Sequence, residues 1–189
     1  MTTHAILFLE DLDPESSGDA CAHATHYEAV PVSAFAALMK RLPPQAIANS
    51  TFVDAGAGMG RAMMLASEYP FKQVVGIEIS PALYEVAREN LRARHDFVTQ
   101  CNDVRLVRGD ARRYRYPRGN LVLFLYNPFD EYALDATLAR IGERTDRDVW
   151  LLYHTPVHDG VPIARGYDLV SRGREGDVYL HRGTTVLIE

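Results

Sequence analysis

Residues 51–61 read TFVDAGAGMGR. A short apolar run ends in an aspartate, glycine then occupies every second position, and the helix-forming stretch RAMMLASEY follows. A strand that turns directly into a helix needs unusual backbone freedom at the turn, and glycine supplies it. The stretch therefore predicts a strand–turn–helix unit, and the chain repeats that unit. QVVGIEI reads as a second buried strand. Ser80 is a good N-cap and Pro81 a good first residue for the helix behind it, which places Leu83, Val86, Ala87 and Leu91 on one face. VRLVRGD, NLVLFLY and DVWLLYH read as the third, fourth and fifth strands, and residues 130–143 form a helix that aligns Leu134, Leu138 and Ile141.

Repeated β-α units predict an α/β fold with a doubly wound, mostly parallel sheet and helices on both faces. The pattern then changes. YDLVSRGREGDVYLHRGTTVLIE alternates apolar and polar residues around GREGD, which predicts an antiparallel hairpin and a further short strand at the end. The expected sheet has seven strands and finishes in that hairpin. Ahead of the core, Pro31 opens a helix with Phe35, Leu38, Met39 and Leu42 on one face, and Pro43-Pro44 stops it. We divide the 189 residues into an N-terminal arm and helix over 1–45, acting as a substrate-side cap, and a core over 46–189.

Composition narrows the function classes. At 47% hydrophobic residues the chain can bury a core without metal or disulfide staples. A formal charge of −5 argues against a dedicated nucleic-acid binder, which carries a basic field, and duplex nucleic acid is not an expected partner. Cys21 and Cys101 are far apart with no C-x-x-C spacing, which fits a reducing compartment. The N-terminus lacks the basic start of a signal peptide, and no apolar segment approaches the roughly 20 residues of a membrane span. A soluble, cytoplasmic protein is expected. Charge is uneven: residues 10–28 carry Glu10, Asp11, Asp13, Glu15, Asp19 and Glu28 with no Lys or Arg. Residues 105–118 carry Arg105, Arg108, Arg112, Arg113, Arg115 and Arg118. Such runs are ordinarily solvated faces. The sharper alternative is an arginine face that meets an acidic partner or the acidic N-terminal segment.

In doubly wound sheets, ligands bind outside the carboxyl ends of the strands, where the strand order reverses. The distinctive polar residues fall there. Asp54 and the glycines end the first strand, Glu78 the second, Asp110 the third, Asn127 the fourth and His154 the fifth. The dinucleotide fingerprint is G-x-G-x-x-G; here Gly56, Gly58 and Gly60 give G-x-G-x-G, with Arg61 in the sixth place. A carboxylate two residues before the first glycine repels a pyrophosphate and suits a ligand with an ammonium group. Glu78 can accept hydrogen bonds from two ribose hydroxyls, and Asp110 from an adenine amino group.

These segments resemble the class I S-adenosylmethionine-dependent methyltransferases: VDAGAGMG as the first motif, VVGIEIS as the acidic second strand, VRLVRGDA as the third and LFLYNPF as the fourth. The resemblance covers roughly residues 27–182. It is nearest to small bacterial members of unassigned substrate and more distant to non-SET histone-lysine methyltransferases, which share an asparagine-phenylalanine segment after strand four. It implies S-adenosylmethionine as cofactor. Gly56 and Gly58 would let the backbone approach its methionine part, Asp54 would face its amino group and Glu78 the ribose. Ile79 would pack on adenine, Asp110 and Ala111 would hydrogen-bond it, and Tyr27 would close over the methionine end. Asn127, Tyr126 and Phe129 would line the acceptor side. The NPF segment lacks the second proline of the adenine-N6 enzymes, so that specificity does not carry over.

Several residues keep two readings. Asn127 before Pro128 looks like a helix N-cap with proline at N1 and Asp130 at N3, or like an acceptor that orients the nucleophile. His154 and His158 belong to a polar loop or supply a base or substrate contact. His23 and His26 have ligand spacing but no third partner, so no metal is expected. The expected activity is methyl transfer to a small molecule or a protein side chain, with nitrogen favoured. The alternatives are a module that binds the cofactor without turnover and a nicotinamide-binding Rossmann protein.

Overall fold

The computed structural model describes residues 28–93, 98–143 and 147–183. The strands are β1 (Thr51–Ala55), β2 (Gln73–Glu78), β3 (Val104–Arg108), β4 (Leu121–Tyr126), β5 (Val149–His154), β6 (Asp168–Gly173) and β7 (Gly176–His181). They form one sheet in the order β3-β2-β1-β4-β5-β7-β6. The first five run parallel; β7 lies antiparallel to both β5 and β6. The expected seven-stranded sheet with its hairpin is therefore present. The short strand expected after the hairpin lies outside the described residues, as do Tyr27, His23, His26, Cys21 and the acidic run up to residue 27. Among the described residues no helix is long and apolar enough to cross a membrane.

Helices cover both faces. One face of the sheet carries α1 (Val32–Met39), α2 (Pro44–Ala48) and α3 (Arg61–Ala66), packed through Phe35, Leu38, Ile47, Met63 and Ala66 onto Phe52, Val74, Val122, Phe124 and Leu152. The other carries α5 (Glu131–Gly142) and α6 (Gly160–Ala164), packed through Leu134, Leu138, Ile141 and Val161 onto Val53, Leu123, Leu125 and Leu151. Because successive strand residues point to opposite faces, these two lists fix the direction of every strand residue between them. The α1 helix shares the main core: the Phe35 ring meets Phe52 at 5.9 Å and Phe124 at 5.4 Å, both edge-on.

Local signals account for most boundaries. Ser80 Oγ accepts from the Leu83 N–H at 3.3 Å and caps α4 (Pro81–Arg92) as expected. Pro43-Pro44 stops α1 and also starts α2, with Pro44 at the first helical position, so the same dipeptide does both jobs. One expectation is corrected. Asn127 does not cap the helix after β4; Asp130 does, its Oδ1 accepting from the Ala133 N–H at 2.8 Å. Asn127 has φ of 45°, a left-handed backbone that reverses the chain before Pro128 and delays the helix by three residues.

Candidate active site

The glycine turn is held from β2 and from α4. The Gly56 and Ala57 N–H groups donate to the Ile77 carbonyl at 2.9 and 3.0 Å, and the Asn90 side chain donates to the Met59 carbonyl at 3.0 Å. Gly56, Gly58 and Gly60 all have positive φ. At Gly56 a second constraint applies: an added Cβ would lie 2.5 Å from Pro128 Cβ. The turn after β1 and the NPF segment after β4 are thus in direct contact across the point where the strand order reverses, as a ligand bridging β1 and β4 requires.

Asp54 and Glu78 sit on the α1–α3 face of β1 and β2, since they lie two residues beyond Phe52 and two beyond Gly76, in phase with Val74. Both are buried, at 3% and 5% exposure. Glu78 is supported by backbone donors: the Gly58 N–H to Oε2 and the Ser80 N–H to Oε1, each at 2.7 Å. Burial raises its carboxyl above the ordinary range, and the N–H groups of Ser80, Gly58 and Ile79 pull it partly back. Asp54 is raised well above that range, by burial first and by the Glu78 charge second. Two adjoining buried carboxylates are a costly arrangement. A cationic ligand group relieves it, and a pyrophosphate aggravates it.

On the opposite face, Gly56, Ile77, Ile79, Gly109, Asp110, Ala111, Arg112, Phe129 and Ala133 line a small recess. The expected adenine residues Ile79, Asp110 and Ala111 are together there. Asp110 has a partner that the sequence reading did not include: it accepts from the Arg112 backbone N–H at 2.9 Å and from Arg112 Nε and Nη2 at 3.0 and 2.9 Å. Burial pushes its carboxyl up, but the bonds and charge of Arg112, with Arg113 nearby, hold it below its ordinary value. Asp110 is therefore an ionised acceptor beside the recess. Phe129 lines this recess as well and so is separated from Tyr126, with which it was grouped.

The remaining acceptor-side residues divide between the faces. Asn127 Oδ1 accepts from the Tyr153 hydroxyl at 3.3 Å, on the α5 side. Tyr126 and His154 are register partners on β4 and β5 and point to the α1 side, their rings 4.3 Å apart and edge-on. His154 Nδ1 lies 2.6 Å from the Glu175 carbonyl, which can only accept, so Nδ1 carries the proton. Burial first, and the nearby Glu28 carboxylate second, raise the Tyr126 phenol well above its ordinary value. Arg112 and the backbone of Ser80 are site groups that sequence reasoning missed. Ser80 Oγ was assigned to its helix cap. His158 lies apart, in a recess with Glu131, Asp135 and Asp159. Among the described residues no cluster of His, Cys, Asp and Glu could hold a metal ion.

The strand order, the glycine turn and the acidic end of β2 make this edge of the Rossmann-like sheet a candidate nucleoside site. Residues 52–144 match the family model described as a methyltransferase domain. The matched segment is a methyltransferase domain, and the chain has the fold of S-adenosylmethionine-dependent methyltransferases. Solved structures of the same fold include a candidate RNA methyltransferase from Pyrococcus horikoshii, 17% identical, with a TM-score of 0.61 over 93% of this chain and 94% of that one. A TehB-like methyltransferase from Corynebacterium glutamicum is 18% identical, with a TM-score of 0.51 over 80% and 88%. Magnesium protoporphyrin IX methyltransferase from Synechocystis, solved with bound S-adenosylmethionine, is 16% identical, with a TM-score of 0.52 over 78% and 74%. No curated protein sequence matches the chain.

Proposed function

We propose that the chain binds S-adenosylmethionine across β2, β1 and β4 and transfers its methyl group to nitrogen on a small molecule or an exposed protein side chain. The observation that carries the reading is the adjoining buried pair Asp54 and Glu78 beneath the glycine turn. Glu78 still has lone pairs for ribose hydroxyls after accepting from Gly58 and Ser80. Asp54 fits the methionine ammonium group. Ile79, Ala111 and Phe129 offer an apolar slot for a purine, with Asp110 at its rim.

The cofactor supplies an activated methyl group on a sulfonium. What remains for the protein is to hold donor and acceptor in line and keep water out. The turn backbone fixes the donor's position, and the NPF segment packed on Gly56 fixes the acceptor side relative to it. The acceptor classes of the structural neighbours differ among themselves, so the acceptor is argued from this site alone.

Calorimetry on the purified protein tests the reading. S-adenosylmethionine should bind, and Glu78→Ala should weaken it by about 100-fold, since two backbone donors lose their acceptor and the ribose its anchor. Tight NAD binding with no affinity for the methyl donor would overturn it. Labelled donor incubated with a cell extract then locates the acceptor; binding without label in any fraction favours a module without turnover.

A further inference from the structure

One buried titratable group at the carboxyl edge of the sheet has no part in holding the cofactor. His154 ends β5 and is 4% exposed. It lies two residues beyond Leu152, on the α1 face that Asp54 also occupies. Asp54, Tyr126 and His154 therefore stand in a row across β1, β4 and β5, on strands about 5 Å apart. Two contacts fix the imidazole. The turn between β6 and β7 brings the Glu175 carbonyl to 2.6 Å from Nδ1, and the Tyr126 ring meets the imidazole edge-on at 4.3 Å. That turn is pressed against β5: an added Cβ at Gly176 would drive into the Tyr153 carbonyl and lie 2.9 Å from His154 Cα. With Nδ1 committed as donor, Nε2 keeps a free lone pair. Nε2 makes no hydrogen bond among the described residues, and it is not one of the side-chain atoms shut off from solvent.

We infer that His154 is a catalytic residue whose Nε2 takes the proton that the methyl acceptor must lose. This rests on the methyltransferase reading above and assigns a base to it. An acceptor nitrogen that arrives as an ammonium has no lone pair until one proton leaves, and histidine is the side chain suited to exchange that proton near neutral pH. Asp54 is the other proton acceptor in the row, but it lies beneath the glycine turn, where the donor's own ammonium fits. The Glu175 carbonyl holds the ring by Nδ1 and so keeps the accepting nitrogen on the open side.

The step balances. The ammonium gives one proton to Nε2 and becomes a neutral amine, while the imidazole becomes an imidazolium. The freed lone pair forms the N–C bond to the methyl carbon as the C–S bond breaks, and that electron pair leaves on sulfur, now a neutral thioether. The product is an ammonium that carries the methyl group. The imidazolium then gives its proton to water, which Nε2 meets.

His154→Asn separates the two ring nitrogens. The asparagine amide can donate to the Glu175 carbonyl in place of Nδ1 and puts nothing at the position of Nε2. With labelled S-adenosylmethionine and the extract fraction that the wild type labels, His154→Asn should transfer methyl about 100-fold more slowly. Its affinity for S-adenosylhomocysteine should stay within about twofold. Added imidazole should restore part of the rate to His154→Asn and none to Glu78→Ala, a rescue that a merely structural histidine would not give. A rate in His154→Asn within about threefold of the wild type, or a slow variant that imidazole leaves slow, overturns the proposal. Imidazole ¹⁵N shifts of the wild type with S-adenosylhomocysteine bound give a check that needs no variant. The neutral ring of His154 should carry its proton on Nδ1, and a proton on Nε2 instead overturns the proposal. A wild type that binds no S-adenosylhomocysteine, or labels no fraction, overturns the methyltransferase reading itself.

Discussion

The two halves of the sheet's carboxyl edge are built by different means. On the β2–β1 half, the side chains of Asp54 and Glu78 are buried, and Glu78 bonds to backbone N–H groups. On the β4–β5 half, the Tyr153 hydroxyl donates to the Asn127 side chain, and the Tyr126 and His154 rings meet edge-on. Chain reversal differs as well. Glycines with positive φ turn the chain after β1, whereas Asn127 and Thr155 adopt φ of 45° after β4 and β5 and each precedes a proline. Backbone-anchored groups hold a ligand that never changes. A half made of side chains can be altered residue by residue to suit a different acceptor, with the donor half left intact.

Gly56 is where the halves touch, so it gives the largest expected effect. Gly56→Ala places a side chain on a left-handed backbone and drives its Cβ into Pro128. Conformational strain and overpacking together should cost about 2–4 kcal/mol, read from urea unfolding. Donor affinity should fall with it, because the turn and the NPF segment cannot both keep their places. An unchanged unfolding midpoint would show that the two halves are independent.

Asp54→Asn should separate stability from binding. A carboxyl whose folded-state value lies above its unfolded one is favoured when protonated. Its contribution is therefore present at low pH and is lost as pH rises from the ordinary carboxylate value through the raised one. Without ligand, Asp54→Asn should be more stable than the wild type at neutral pH by on the order of 1–2 kcal/mol, with the gap closing toward the ordinary carboxylate value. The same variant should bind S-adenosylmethionine more weakly. Thermal unfolding from neutral pH downward checks the first outcome and calorimetry the second; a variant less stable at every pH would contradict the strain assigned to the carboxylate pair.

The halves also differed in how far they could be read in advance. The glycine turn, Asp54 and Glu78 are local signals, because strand, turn and next strand end lie within one β-α-β unit and their spacing is set by that unit. Ile79, Asp110 and Ala111 follow by the same logic one strand further on. On the β4–β5 half the contacts are long-range: Asn127 reaches Tyr153, and Tyr126 meets His154. Asn127 looked like a helix cap because Asn-Pro carries that signal wherever it occurs. Only the left-handed backbone, which lets Asp130 cap the helix, shows otherwise. Phe129 was grouped with Tyr126, yet Phe129 packs on the α5 face of the sheet and Tyr126 on the α1 face.

The smallest expected effect concerns the two left-handed residues themselves, which occupy equivalent places because Tyr126 and His154 are register partners. Asparagine tolerates this backbone; threonine, branched at Cβ, does not. Thr155 is exposed, so its substitution changes little besides strain. Thr155→Asn should stabilise the chain by about 0.5–1 kcal/mol, or roughly 1–4 °C in Tm. Asn127→Thr should destabilise it by a somewhat larger amount, since strain is added and the acceptor for the Tyr153 hydroxyl is lost as well. If the two substitutions shift Tm by equal and opposite amounts, the Tyr153–Asn127 bond contributes nothing to stability. Its retention would then point to the orientation of the acceptor, and Asn127→Thr would be expected to slow methyl transfer in excess of its effect on folding.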